Sequence, residues 1–137
     1  MSEDNLWGSI AAEPLLETPS AVLRRQCKAL SEATQGRLEG TVVQVSKGQH
    51  FTYELRIIAP TLTNQPTTVV AVTHDVSLYP ADVTNPFTGW HSEAADPMAL
   101  RGCLREVFQG DHVRRIVRGL LAQVAEAAAS SAETKTP

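Results

Sequence analysis

The most constraining feature of this sequence is a strict alternation of apolar and polar residues that begins at Phe51. The apolar positions are Phe51, Tyr53, Leu55 and Ile57, and the polar positions between them are Thr52, Glu54 and Arg56. Successive side chains of a β-strand point to opposite faces, so the pattern predicts a strand with one buried and one solvated face. A chain with such a strand must build a sheet around it and needs to cover only one of its faces.

Other segments carry strand or loop signals of different kinds. Leu38–Val45 is rich in β-branched residues, and the short Ser46–Gln49 connection predicts an antiparallel hairpin with the alternating strand. Thr67–His74 is apolar on both faces, which predicts a central or covered strand. Val76–Tyr79 is a candidate for a short fourth strand. The segment Pro80–Glu93, with its prolines, glycine and rings, predicts an ordered loop.

Helical signals flank these strands on both sides. Thr18-Pro19 and Asp96-Pro97 each place a capping side chain before a proline, and Asp111 can cap a third helix. Apolar residues recur after each start at helical spacing, opposite arginines and other polar residues. The order predicts an α+β fold: an antiparallel sheet of three or four strands, with an N-terminal helix and two C-terminal helices packed on one face.

Length and composition are those of a single domain. A chain of 137 residues, 42% hydrophobic and 20% charged, can bury one core. We expect residues 1–17 to form an N-terminal arm, residues 18–125 the domain and residues 126–137 a flexible tail. Apolar runs are far shorter than the ~20 residues of a membrane helix, and the acidic N-terminus lacks a targeting pattern. We therefore expect a cytoplasmic protein with no membrane partner.

Residues that could carry catalysis or bind a metal are scattered. His74 and Asp75 are adjacent at the end of a predicted strand, where they would point to opposite faces. A zinc site assembled from His74, His91 and either Asp75 or Asp82 is an alternative, but no close ligand spacing supports it. The chain has neither a Gly-x-Ser-x-Gly elbow nor a phosphate-binding loop. We expect no metal and no cofactor, and the sequence favours binding over catalysis.

The clearest charge feature is a group of arginines on the C-terminal helices. It consists of Arg101, Arg105, Arg114, Arg115 and Arg118. Arginine binds carboxylates and phosphates bidentately, so the group is a candidate patch for an anion or an acidic partner. Charged residues opposite an apolar stripe are also the ordinary solvated side of a helix, and a net charge of −3 argues against nucleic acid as the main ligand.

The solvated side of the alternating strand is the predicted partner surface. Thr52, Glu54 and Arg56 lie on it, and helices with single apolar stripes need cover only the opposite side. The strand at Thr67–His74 has apolar residues on both faces, Val69 and Ala71 on one and Val70 and Val72 on the other, so some apolar area is expected beside the polar residues. Such a mixture suits a protein interface. The leading hypothesis is a non-catalytic accessory protein that binds a protein partner. Its size and mixture of helix and sheet are comparable to those of small bacterial immunity proteins and secretion chaperones, an analogy of class alone.

Two alternative functions would use other sites. A small-molecule-binding or enzymatic domain would use a cleft between the sheet and the helices, with Tyr53, His74, Tyr79 and Trp90 as candidate lining. A nucleic-acid accessory factor would use the arginines of the C-terminal helices.

Overall fold

A computed structural model of the protein describes residues 6–9, 14–45, 48–63 and 65–134. Within these ranges the helices are α1 (Pro19–Ala33), α2 (Pro97–Phe108) and α3 (Asp111–Thr134). The strands are β1 (Glu39–Gln44), β2 (Phe51–Ile58), β3 (Thr67–His74), β4 (Ala81–Thr84) and β5 (His91–Ala94). A short 3-10 helix, Pro60–Leu62, connects β2 to β3. The fold class is therefore α+β, as the sequence predicts.

The strands form one antiparallel sheet in which each strand pairs with the next along the chain, in the order β1-β2-β3-β4-β5. The sheet has five described strands, where the sequence predicts three or four. The predicted strand at Val76–Tyr79 is wrong. The Asp75 carboxylate accepts a hydrogen bond from the Ser77 backbone N–H at 2.9 Å, and Leu78 has a φ of 74°, so this segment turns instead of extending.

The predicted loop at Pro80–Glu93 is also wrong, because it contains the β4–β5 hairpin. The Asn85 side chain organises its turn: its Oδ1 accepts from the Phe87 N–H at 3.0 Å and from the Thr88 N–H at 3.3 Å. The Asn85 N–H itself donates to the Trp90 carbonyl at 2.9 Å. The two strands contain only four residues each, which is too short for an alternating pattern to stand out from the turn signals.

The predicted caps position the first two helices. Thr18 Oγ1 accepts from the Ala21 N–H at 3.1 Å, and Asp96 Oδ1 accepts from the Ala99 N–H at 2.7 Å. Both helices begin with the proline that follows the cap. No helix in the described part of the chain is long and apolar enough to cross a membrane.

The division into arm, domain and tail stays a prediction. Residues 1–5, 10–13 and 135–137 lie outside the described ranges. The α3 helix continues to Thr134, well past residue 125, where the sequence predicts that the domain ends. At the other end, the Glu17 carboxylate forms ion pairs with Arg25 and Arg101, so the last residue of the predicted arm contacts both α1 and α2.

A β-bulge in β3 determines which valines enter the core. Leu55 pairs with Val70 and Arg56 pairs with Thr68, so Val69 is an extra residue with no partner on β2. Val69, Val70 and Val72 are all fully buried. Val69 therefore enters the same core as Val70 and Val72, although regular alternation would place it on the opposite face with Ala71.

The three helices lie over the same face of the sheet. Side chains from all of them, together with Leu55 and Ile57 of β2, line one apolar groove. The core beneath contains residues of helices and strands alike, chiefly Val22, Leu23, Leu38, Leu55, Val70, Val72, Val83, Leu100 and Leu104. The opposite face of the sheet is not covered by any described helix.

Helix α1 and strand β1 approach each other closely at Gly40. A methyl group at Gly40 would lie 2.8 Å from Cys27 Sγ and 3.1 Å from Cys27 Cα, closer than packed atoms tolerate. Glycine at this position therefore allows α1 to rest on the edge strand.

We predict that Gly40→Ala lowers the free energy of unfolding by about 1–3 kcal/mol, because the added methyl overpacks the contact with Cys27. Urea denaturation measures the change. The matched control is Gly102→Ala in α2, where the methyl meets nothing within 4 Å outside its own helix. That variant should be neutral or more stable by up to about 1 kcal/mol. Equal losses in the two variants would contradict the close contact.

Candidate partner-binding face of the sheet

The register of the strands places every second side chain on the uncovered side of the sheet, which we call the open face. Its residues are Glu39, Thr41, Val43, Thr52, Glu54, Arg56, Ile58, Thr68, Ala71, Thr73, Asp82, Thr84, His91 and Glu93. All of them are half-buried or exposed. The three residues predicted as the partner surface are in its centre.

Glu54 and Arg56 form an ion pair at the centre of the open face. Arg56 Nη2 lies 2.6 Å from Glu54 Oε1, and Arg56 Nε donates to the same oxygen at 3.1 Å. Thr68 Oγ1 on β3 also donates to this oxygen, at 3.3 Å. The pair is therefore formed within β2 and linked to β3 through Thr68, and it leaves this part of the face close to neutral.

Threonine hydroxyls extend the polar surface on either side of this pair. Thr52 Oγ1 and Thr73 Oγ1 are 3.0 Å apart across β2 and β3. Thr84 Oγ1 on β4 donates to the Ala71 carbonyl at 3.5 Å. A hydroxyl both donates and accepts, so each of these threonines can exchange its present bond for one to another protein.

The outer parts of the open face are acidic. Glu39 is exposed at one edge, and Asp82 and Glu93 are exposed at the other. His91 Nε2 lies 3.6 Å from Asp82 Oδ1 and provides a weak partner for one of these carboxylates. The described open face therefore carries four carboxylates against one guanidinium.

The five arginines of the C-terminal helices are all exposed. Arg101 pairs with Glu17, and it lines a shallow groove with Arg105 beside α1. Arg114, Arg115 and Arg118 lie on α3. The helical side of the molecule is therefore basic where the open face is acidic.

The candidate pocket residues do not share one cavity. His74 stacks against Phe51 and Tyr53, with ring centroids 5.5 and 5.7 Å apart, on the covered side of the sheet. Tyr79 donates its hydroxyl to the Glu17 carbonyl at 2.9 Å, and burial raises the pKa of its phenol. Trp90 lines a different cavity with residues of α2 and α3.

The two histidines considered for zinc lie on opposite faces of the sheet. His74 pairs with Phe51 on the covered side, whereas His91 pairs with Thr84 on the open face. His74 Nδ1 lies 2.7 Å from the Asp75 carbonyl oxygen, and the Asp75 carboxylate bonds to Ser77. The described residues contain no group of three potential ligands that could hold a metal.

An apolar groove lies between the sheet and the helices, where the small-molecule alternative expects a cleft, but it is lined by none of the candidates Tyr53, His74, Tyr79 and Trp90. Its volume is about 270 Å³, and its lining includes Ala29, Leu30, Leu55, Phe108 and Val117. Helical periodicity marks several of these as core residues, but it gives no sign that the helices leave a gap between them. The lining has no charged side chain, so nothing in it could activate a substrate.

A polar link joins the β4–β5 hairpin to the start of α3. Asn85 is buried, and its Nδ2 lies 3.2 Å from His112 Nδ1. Phe87 packs on the same imidazole, with ring centroids 5.5 Å apart. The sequence predicts only a loop around Asn85. In the structure its side chain also links the β4–β5 hairpin to the start of α3.

Comparison with known proteins identifies no relative. No protein-family model, curated protein or solved structure matches this chain.

Hydrogen bonds from Ser77 lower the pKa of Asp75, chiefly through the Ser77 hydroxyl and secondly through its backbone N–H. We predict that Ser77→Ala raises this pKa without fully restoring the ordinary value, because the backbone N–H remains. Carboxyl-detected NMR titration measures the change, and an unchanged pKa would contradict the contact. The stabilisation that ionised Asp75 contributes is present above its ordinary pKa and is lost as the pH falls through the lowered value.

Proposed function

We propose that this protein is a non-catalytic accessory protein that binds a protein partner through the open face of its sheet. The observation that carries the proposal is the one-sided covering of the sheet. Three helices occupy one face, and the other presents a mainly polar surface across all five described strands, with Val43, Ile58 and Ala71 as its apolar residues. A sheet face left to solvent needs only polar side chains, and this one adds a charge pattern that another protein can match.

The charge of the open face defines the chemistry of the partner. Glu39, Asp82 and Glu93 surround a centre in which Arg56 and Glu54 neutralise each other. Opposite charges across an interface speed association and select the correct partner. The partner is therefore a protein with a basic surface, whose polar groups also bond to the threonine hydroxyls.

The size of the face indicates how strongly it can bind by itself. Strand spacing and rise give the described sheet an area of about 500 Å². A stable interface buries about 800 Å² on each partner, so the open face alone fits a transient complex. A lasting complex needs additional contacts next to the face.

Binding is a better account of this molecule than catalysis. In the described residues, His74 is stacked between two rings, Tyr79 is bonded to the backbone, and the apolar groove has no charged side chain. A general base must reach a substrate from a cleft, and the apolar groove between the sheet and the helices offers none.

The test is affinity capture from the source cells, followed by measurement of the dissociation constant for the captured partner. We predict that Glu54→Arg combined with Arg56→Glu weakens binding about tenfold or more. Each position then carries the charge opposite to the one that the partner's surface matches. The exchange keeps an ion pair between the two half-buried positions, and a thermal unfolding curve of the variant checks that the fold is intact.

The control reverses Arg114, Arg115 and Arg118 together on α3, away from the open face. The proposal requires that this variant keep its affinity. If the exchanged pair binds as tightly as the natural protein and the α3 variant does not bind, the arginines are the partner site and the proposal is wrong.

A further inference from the structure

The two edges of the sheet differ in how they are protected. β5 contains only four residues, includes His91 and Glu93, and is followed closely by Pro97. Short strands, charged side chains and prolines are the usual means by which proteins prevent another strand from adding to an edge. β1 is longer, and from Gly40 to Gln44 it contains neither a charged residue nor a proline.

The register of β1 shows which of its backbone groups face outward. The Val45 N–H donates to the Thr52 carbonyl at 2.8 Å, so Val45 belongs to the set of residues bonded to β2. Bonded and unbonded positions alternate along an antiparallel strand. Thr41 and Val43 therefore point their N–H and C=O groups toward β2, while Gly40 and Val42 point theirs away from the sheet.

One side of α1 lies above this outer edge. Cys27 rests on Gly40, and the side of α1 that carries Gln26 and Ala29 lines the groove toward β2 and α3. Helical geometry places Arg24 and Lys28 on the other side of Cys27, which is the side that extends past β1. Both are exposed. The positive charge of Arg24 opposes the rise that burial causes in the pKa of Cys27, which agrees with its position beside that thiol.

We propose that the edge of β1 that no described strand covers binds an extended acidic segment of a partner protein, which adds to the sheet as a further strand beneath Arg24 and Lys28. Gly40 and Val42 supply the backbone hydrogen bonds. Side chains of the added strand alternate between the two faces, so every second one meets the two cations and is a carboxylate. The residues between them lie beside Thr41 and Val43 and are β-branched.

The same arrangement excludes other occupants. A basic strand would place its charges against Arg24 and Lys28. The residues that β1 presents on the covered face are Gly40 and Val42. A second copy of β1 would therefore bring no carboxylate beneath the cations. The proposal does not depend on the open face as a binding site, since it uses the edge and the flank of α1.

The test uses fluorescein-labelled peptides and the full chain. The probe is an octapeptide of alternating Glu and Val, with alternating Lys and Val and a block peptide of Glu followed by Val as controls. We expect fluorescence polarisation to detect binding of the alternating acidic peptide, with the basic and block peptides binding about tenfold more weakly or worse. Absence of binding by the acidic peptide overturns the proposal.

Arg24→Glu combined with Lys28→Glu should weaken peptide binding about tenfold. The effect is no larger because each ion pair between a cation and a peptide carboxylate is exposed and contributes little binding free energy by itself. Arg114→Glu combined with Arg118→Glu is the matched control, because it changes two exposed arginines at the same helical spacing on α3. The exchange of Glu54 and Arg56 should leave peptide binding unchanged, which separates this proposal from the open-face proposal. Equal affinity for the Arg24 and Lys28 variant would overturn strand addition beneath these cations.

Hydrogen exchange by NMR supplies a backbone readout. In the free protein the Gly40 and Val42 amides should exchange faster than those of Thr41 and Val43, and the acidic peptide should slow them. If the Gly40 and Val42 amides exchange slowly in the free protein, the edge is already occupied. This holds at any protein concentration. That result contradicts the proposal.

Discussion

Burial of one sheet face by three amphipathic helices is the interaction on which the rest of this structure depends. The core lies entirely between α1, α2, α3 and the side of the sheet that carries Leu55, Val70 and Val83. The bulge in β3 strengthens this asymmetry, because it brings Val69 into the same core and removes it from the solvated side. The sheet therefore has one face buried in the core and one face, the open face, exposed to solvent. The open face and the β1 edge are the parts of the sheet that no described helix covers.

The parts of the fold that the sequence predicts correctly are those with long, regular patterns or specific caps. The alternation from Phe51 specifies a complete strand and its solvated side, and Thr18 and Asp96 mark the helix starts through hydrogen bonds that form as expected. The β4–β5 hairpin is missed because its short strands surround the strong turn signal at Asn85. The bulge at Val69 is missed because alternation assigns each residue to a face only while the register is regular.

Site residues can be predicted from the sequence where one strand sets their position, and cannot be where the packing of distant segments sets it. The open position of Thr52, Glu54 and Arg56 follows from the period of one strand, and the structure agrees with it. Tyr53, Tyr79 and Trp90 have side chains that suit a pocket, but whether they meet in one depends on how distant segments pack. The exposed flank of α1 above β1 is equally invisible in the sequence, since it requires knowing that β1 is an edge and that Gly40 lies beneath Cys27.

The central claim is that one face of the sheet is open to solvent, and paramagnetic NMR with a soluble gadolinium chelate tests it most directly. The chelate broadens signals from methyl groups that solvent can reach. The account predicts strong broadening of the Thr68 and Thr73 methyl signals and little effect on those of Val70, Val72 and Val83. If the threonine methyls are protected as well as the valine methyls, both faces of the sheet are covered, and the account of a one-sided protein is contradicted.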